Sequence, residues 1–168
     1  MQPIRPDIAL LWPSYTFFPL GALGILVFGA GGHDPAMVAI GLALLALNAA
    51  IVVNQMYFTT LAIAGDELVF RTNFGIKEER VPIGSLQRID AKRYSGAHGG
   101  LSAPYFVARG RDSTLKVNTK AYRLPAFVPL IEALRTTNAR VELDEFWDAV
   151  AAGRDVSKEG ALTPRSRF

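Results

Sequence analysis

Cysteine is absent from the 168 residues, and histidine occurs only as His33 and His98. The first absence excludes disulfides, thiolate metal sites and cysteine nucleophiles. The second leaves almost no side chain that titrates near neutral pH. Charge is scarce in one region only. Of 18 Lys and Arg and 15 Asp and Glu, residues 1–58 hold just Arg5, Asp7 and Asp34. The formal net charge of +3 is too small to imply nucleic acid as a partner. A charge-poor segment joined to a charged remainder reads as a membrane-like part followed by a water-facing part.

Two runs within the first 58 residues lack any charge: 8–30 ("IALLWPSYTFFPLGALGILVFGA") and 36–58. About 20 helical residues cross a hydrocarbon layer roughly 30 Å thick, so both qualify as spans. Between them "GGHDP" has the composition of a tight loop, which predicts a two-helix transmembrane hairpin over 1–58. A cleaved signal peptide would have a basic start and a much shorter apolar core. A buried hairpin in a soluble protein would need more chain to cover it than remains. Membrane helices tolerate residues such as Pro13 and Pro19 because neighbouring groups satisfy the freed backbone. Trp12, Tyr15, Tyr57 and Phe58 fall near the end the two spans would share, as an interfacial aromatic belt would. Gly21, Gly24 and Gly41 would allow close helix packing, and mid-span Asn48 would find a partner on the other helix. No ionisable carboxylate, amine or imidazole lies within either run, which argues against an ion path. The loop has no Lys or Arg, whereas Arg5 precedes the first span and the other cations follow the second. The positive-inside rule then puts both termini of a multi-pass protein in the cytoplasm.

From Thr59 the apolar period changes to two. "TTLAI", "ELVFRTN", "IKEERVPI", "LQRIDAKRY", "YFVARG" and "TLKVNTK" are rich in β-branched and aromatic residues, and "AGD", "NFG", "SGAHGG" and "GRD" punctuate them. Short strands with tight connections predict an antiparallel meander curled into a small barrel or sandwich. In the last strand Leu115, Val117 and Thr119 face inward and Lys116, Asn118 and Lys120 outward, while Pro82 belongs at a strand edge or break. Phe127, Leu130, Ile131 and Leu134 then recur at helical spacing, so one amphipathic helix closes the open end of the sheet. These signals set a sheet domain over 59–138 and a partly flexible extension over 139–168.

The stretch "LAIAGDELVFRTNFGIKEERVPIGSLQRIDAKR", residues 61–93, with its Val81, Pro82, Ile83, Gly84, Ser85, Leu86, Gln87 segment, resembles the bacterial pleckstrin-homology-like membrane proteins. Together with the preceding spans and the following helix, the resemblance covers roughly residues 8–137. It implies an α+β membrane protein of a bacterial cytoplasmic (inner) membrane, with a PH-like barrel tethered by two spans. It says almost nothing of chemistry. Phosphoinositide-binding PH domains crowd cations into the first strand–strand loop. Here that loop is Ala64, Gly65, Asp66 and Glu67, which would repel phosphate.

No catalytic constellation is present, since neither histidine has a nucleophile and an orienting acid at a suggestive spacing. "GAGG" at 29–32 lacks the strand–turn–helix context of a phosphate loop, and Lys77, Glu78, Glu79 and Arg80 read as the wet face of a strand. The expectation is therefore a non-enzyme without cofactor, metal or small-molecule substrate. Between Thr59 and Arg123 there are eleven Lys or Arg against six acids. Arg88, Lys92 and Arg93, with a second strip of Lys116, Lys120 and Arg123, are candidates for anionic headgroups or an acidic partner. Phe146 and Trp147 are candidates for docking a partner. The leading expectation is an accessory or scaffold subunit that binds another membrane protein at the cytoplasmic face. The alternative is a module sensing anionic lipid, and an oligomeric enzyme or transporter is the third reading.

Overall fold

The computed structural model describes residues 2–93, 103–154 and 156. The chain is α+β, with a helical N-terminal part and two sheets that are antiparallel except for one short parallel strand.

Helix α1 (Ile8–Gly31) starts at Asp7, whose carboxylate accepts the Ala9 N–H, and runs through Pro13 and Pro19. Asp34 caps α2 (Pro35–Val53) in the same way, accepting from Ala36 and Met37, with Pro35 in the first turn. Both caps satisfy N–H groups that the helix itself leaves orphaned. The two helices pack side by side where side chains are smallest. A Cβ on Gly41 would lie 2.9 Å from Leu26 Cβ, and one on Gly29 would lie 2.7 Å from Met37 Cβ. Gly41 thus serves the close packing read from the sequence, whereas Gly21 and Gly24 have nothing within 4 Å. Ala22 and Asn48 are also buried. The outward faces are oily: Phe17, Phe28 and Val27 are 75 %, 78 % and 66 % exposed.

Among the described residues, one helical stretch is long and apolar enough to cross a membrane. It is Pro35–Phe58, of 24 residues and mean hydropathy 2.5, which includes a π-turn (Asn54–Phe58) continuing α2. The apolar stretch Tyr15–Gly31 in α1 is shorter.

The first sheet is a meander of β1 (Thr60–Ala64), β2 (Glu67–Thr72) and β3 (Lys77–Pro82). Gly65, at φ +64°, opens the two-residue turn between β1 and β2, a conformation that favours glycine. The second sheet has the order β6–β5–β4–β7, from β4 (Leu86–Lys92), β5 (Tyr105–Gly110), β6 (Thr114–Asn118) and the stub β7 (Glu142–Leu143), which runs parallel to β4. The period-two reading of β6 holds: Leu115, Val117 and Thr119 are buried while Lys116, Asn118 and Lys120 are exposed. Pro82 ends β3 on its exposed side, where no ladder N–H is required.

Among the described residues no strand pairing joins the two sheets, so of the expected barrel or sandwich the chain forms an open sandwich. Where β3 and β6 face each other, the Glu79 carboxylate accepts the Lys116 N–H at 3.4 Å, and a side chain stands in for the missing ladder. Helix α3 (Val128–Thr137) fills one end. Phe127, Leu130, Ile131 and Leu134 are all fully buried, each contributing about 1.5–3 kcal/mol of transfer free energy. A second helix, α4 (Glu145–Ala151), also packs on the core, so closure takes two helices rather than one.

Two segments lie in the core that sequence reading had kept apart from the sheet domain. Ile4, ahead of α1, pairs with Leu61 through backbone hydrogen bonds of 2.8 and 2.9 Å and is 6 % exposed. At the other end, Val141, Trp147, Val150 and Val156, from the expected C-terminal extension, join the same cluster. The tail beyond Val156 lies outside the described residues.

Candidate interaction surface

Strand register sorts the candidate cations by height. Lys92 lies opposite Tyr105, and Tyr105 opposite Asn118. The short turn after β6 carries Lys120, and Ala121 beyond it accepts the Asp7 N–H at 2.6 Å. Lys92, Lys120 and Arg123 therefore share the end of the sheet domain from which α1 departs. Arg88 pairs with Arg109 at the far end of β4, roughly 13 Å further along the strand. A Debye length of about 8 Å at physiological salt makes that distance decisive, and Arg88 does not act with the other three on one flat anionic surface.

Several of these cations are already neutralised. Asp90 accepts from both Arg88 and Arg109 at 2.6 Å. Arg123 is paired with Asp7, the residue that caps α1. Its hydrogen bond, with that of the Ala9 N–H, holds the Asp7 carboxyl below its ordinary value. On the first sheet Arg71, Glu78, Arg80 and Glu67 form a continuous ion-paired lattice over Val69; of the expected wet run it holds Glu78 and Arg80, while Glu79 turns toward Lys116. Arg71 lowers Glu78, and the bond to Glu67 raises Arg80 further. Such exposed pairs contribute little stability individually. Lys116 and Lys120 have no ion pair among the described residues, and they remain the open positive charges of the second strip.

Of the two docking candidates, Phe146 and Trp147, the second is buried. Trp147 is 0 % exposed and stacks edge-on against Phe106 and Phe146, with ring centroids 5.1 Å apart in each case, and also touches Phe127. Its docking expectation is corrected: Trp147 is the centre of the core. Its indole N–H has no partner among the described residues. Phe146 is partly exposed and lies under the Arg93 guanidinium, 5.8 Å from the ring centroid, a cation–π contact that occupies both residues. Asp144 anchors this region. It caps α4 through the Trp147 N–H and accepts the Ala91 N–H of β4, while burial raises its carboxyl against those two bonds.

A cleft of about 510 Å³ lies between the first turn of α1 and α4, lined by Leu10, Tyr122, Leu124, Val128 and Val150. The Tyr122 hydroxyl is buried without a partner among the described residues, and burial pushes its pKa up. The walls are mostly apolar, with Arg123 and Arg154 also lining the cleft. Among the described residues no cluster of three metal-ligating side chains occurs. His33 sits in the helix–helix loop at φ +55°, and His98 and the glycine-rich loop 95–101 lie outside the described residues.

No protein-family model, curated protein or solved structure matches the chain.

Proposed function

We propose that the chain is a non-enzymatic, membrane-anchored interaction module. In this reading α1 and α2 both span a bacterial inner membrane, and the sandwich is a PH-like domain held on the cytoplasmic face, where it docks another membrane protein. The observation that carries it is the fastening of both ends of the helical pair to the sheet domain. Ile4 is paired to Leu61 before α1, and Thr59 continues into β1 directly after the π-turn of α2. A domain held this way works at the surface rather than at the end of a tether. The oily outward faces of both helices support the spans, because a soluble protein rarely leaves so much contiguous apolar surface in water.

Lys116 and Lys120 supply the open positive strip for an acidic segment of the partner. The position of Lys120 beside Ala121 and Asp7 also favours a second reading, in which the strip meets anionic headgroups. One experiment separates them. The full-length chain and a Lys116→Glu/Lys120→Glu variant are extracted in native lipid particles, and co-purifying proteins and lipids are identified. Loss of a protein partner with unchanged lipid composition supports docking, and loss of anionic lipid alone supports headgroup sensing. A chain that emerges without a partner and with lipid unaltered by the variant refutes both.

A further inference from the structure

Four residues, Asn73–Ile76, connect β2 to β3, and their chemistry is unusual for a hairpin tip in water. Such tips ordinarily carry small polar turn formers. Here Phe74 is 47 % and Ile76 87 % exposed. Phe74 also holds φ +57°, between Asn73 at +53° and Gly75 at +79°. Asn and Gly enter that left-handed region readily, whereas a bulky aromatic residue does so only against a steric penalty that its surroundings must offset.

Those surroundings are the end of the apolar helix. The Phe74 N–H donates to Asn54 Oδ1 at 2.6 Å, and the Phe74 and Phe58 rings lie 5.4 Å apart. Asn54 and Phe58 bound the π-turn that ends the spanning stretch, so the tip is tied at the level where the hydrocarbon would give way to headgroups. Met56, Tyr57 and Phe58 are themselves 40 %, 60 % and 40 % exposed beside it. Behind the tip, Arg71 and Lys77 are ion-paired with Glu78 and Glu79, the polar layer expected one step out from an apolar contact.

We propose that Phe74 and Ile76 enter the interfacial layer of the lipid bilayer beside α2, seating the sheet domain on the membrane through a lipid contact in addition to its chain connections. The inference rests on reading Pro35–Phe58 as a membrane span. The ring contact of Phe74 with Phe58, at the end of the spanning stretch, is what commits the patch to lipid. Tyr57, exposed beside the tip, is of a residue type enriched at that depth.

The absence of cysteine gives a clean background for single probes. Ile76→Cys, labelled with nitrobenzoxadiazole, is placed as full-length protein in phosphatidylcholine–phosphatidylglycerol nanodiscs, with nitroxide-bearing lipids at headgroup or mid-chain depth. Ile40→Cys, within the span and 52 % exposed, is the lipid control, and Arg140→Cys on the sheet domain is the aqueous control. The Ile76 probe is expected to emit at shorter wavelength than the Arg140 probe and to lose most of its emission to the headgroup-depth nitroxide. The Ile40 probe should lose its emission to the mid-chain one. If Ile40 is quenched while Ile76 behaves like Arg140, the tip proposal is overturned and the span stands. A blue-shifted but unquenched Ile76 probe also overturns it, in favour of a protein cover such as a second copy. If neither Ile40 nor Ile76 is quenched, the span reading falls and takes the tip with it.

Discussion

Ile4 gives the sharpest test of how the two parts of the chain are joined. It precedes the first helix, yet it is 6 % exposed in the core of the sheet domain and shares two backbone hydrogen bonds with fully buried Leu61. Ile4→Ala keeps the backbone bonds and removes most of the side chain. The expected cost is about 2–4 kcal/mol, within the range for aliphatic truncation at a packed site. With domain stabilities of about 5–15 kcal/mol, that is a large fraction of the total. The assay uses Trp147, a buried reporter made unique by Trp12→Phe. Urea is titrated into the full-length chain in mild detergent, which holds the helices while the sheet domain unfolds. For a urea dependence of about 1–1.5 kcal/mol per molar, the midpoint falls by about 2 M. Ile4→Val should cost about 0.5–1.5 kcal/mol and Gln2→Ala less than about 0.5. A midpoint for Ile4→Ala that matches Gln2→Ala refutes the reasoning, because Ile4 would then lie outside the core.

Trp147→Ala should cost about 3–5 kcal/mol, read as lost hydrogen-exchange protection across β5 and α3, whereas a docking residue would leave that protection unchanged. Gly41→Leu should destabilise the helical pair by about 1–3 kcal/mol in detergent, because its side chain meets the Leu26 backbone, while Gly21→Leu should be nearly neutral. Asp7 sets a pH dependence. Its folded value lies below the ordinary 3.8, so its stabilisation is complete above that value and is lost as pH falls through the folded one. Asp7→Asn should flatten this acid limb of the urea midpoint measured down to about pH 3, and an unchanged limb would show the pair with Arg123 to be inconsequential.

What the sequence disclosed was whatever repeats. The two apolar runs, the six strand segments and the Phe127-to-Leu134 stripe each carry a period or an unbroken composition, and each was found within a residue or two of its place. What it hid was contributed by single residues acting at long range. Nothing periodic marks Ile4 as a core residue, because one pairing with Leu61 needs only one side chain. Trp147 reads as a docking candidate rather than a core residue because α4 is too short to display an amphipathic pattern. The candidate cations were grouped by sequence spacing, whereas pairing with Asp90 and Asp7, and the height of Arg88 on its strand, depend on register.

The same reasoning explains how an apolar helix can pass into a sheet without a linker. A helix end leaves backbone groups that must find partners, and near an apolar layer water is a poor source of them. At this junction the chain supplies them itself. The Thr59 N–H and hydroxyl both donate to the Asn54 carbonyl, the Asn54 side chain takes the Phe74 N–H, and Arg5 donates to the Met56 carbonyl. On the other helix Asp7 caps the first turn, gives its own N–H to Ala121 and holds Arg123. A spacer would solvate these ends with water and free the domain to swing. Replacing it with Asn54, Thr59 and Asp7 satisfies the same groups from within the chain. The polar residues placed where the apolar run stops are the ones that satisfy the helix ends.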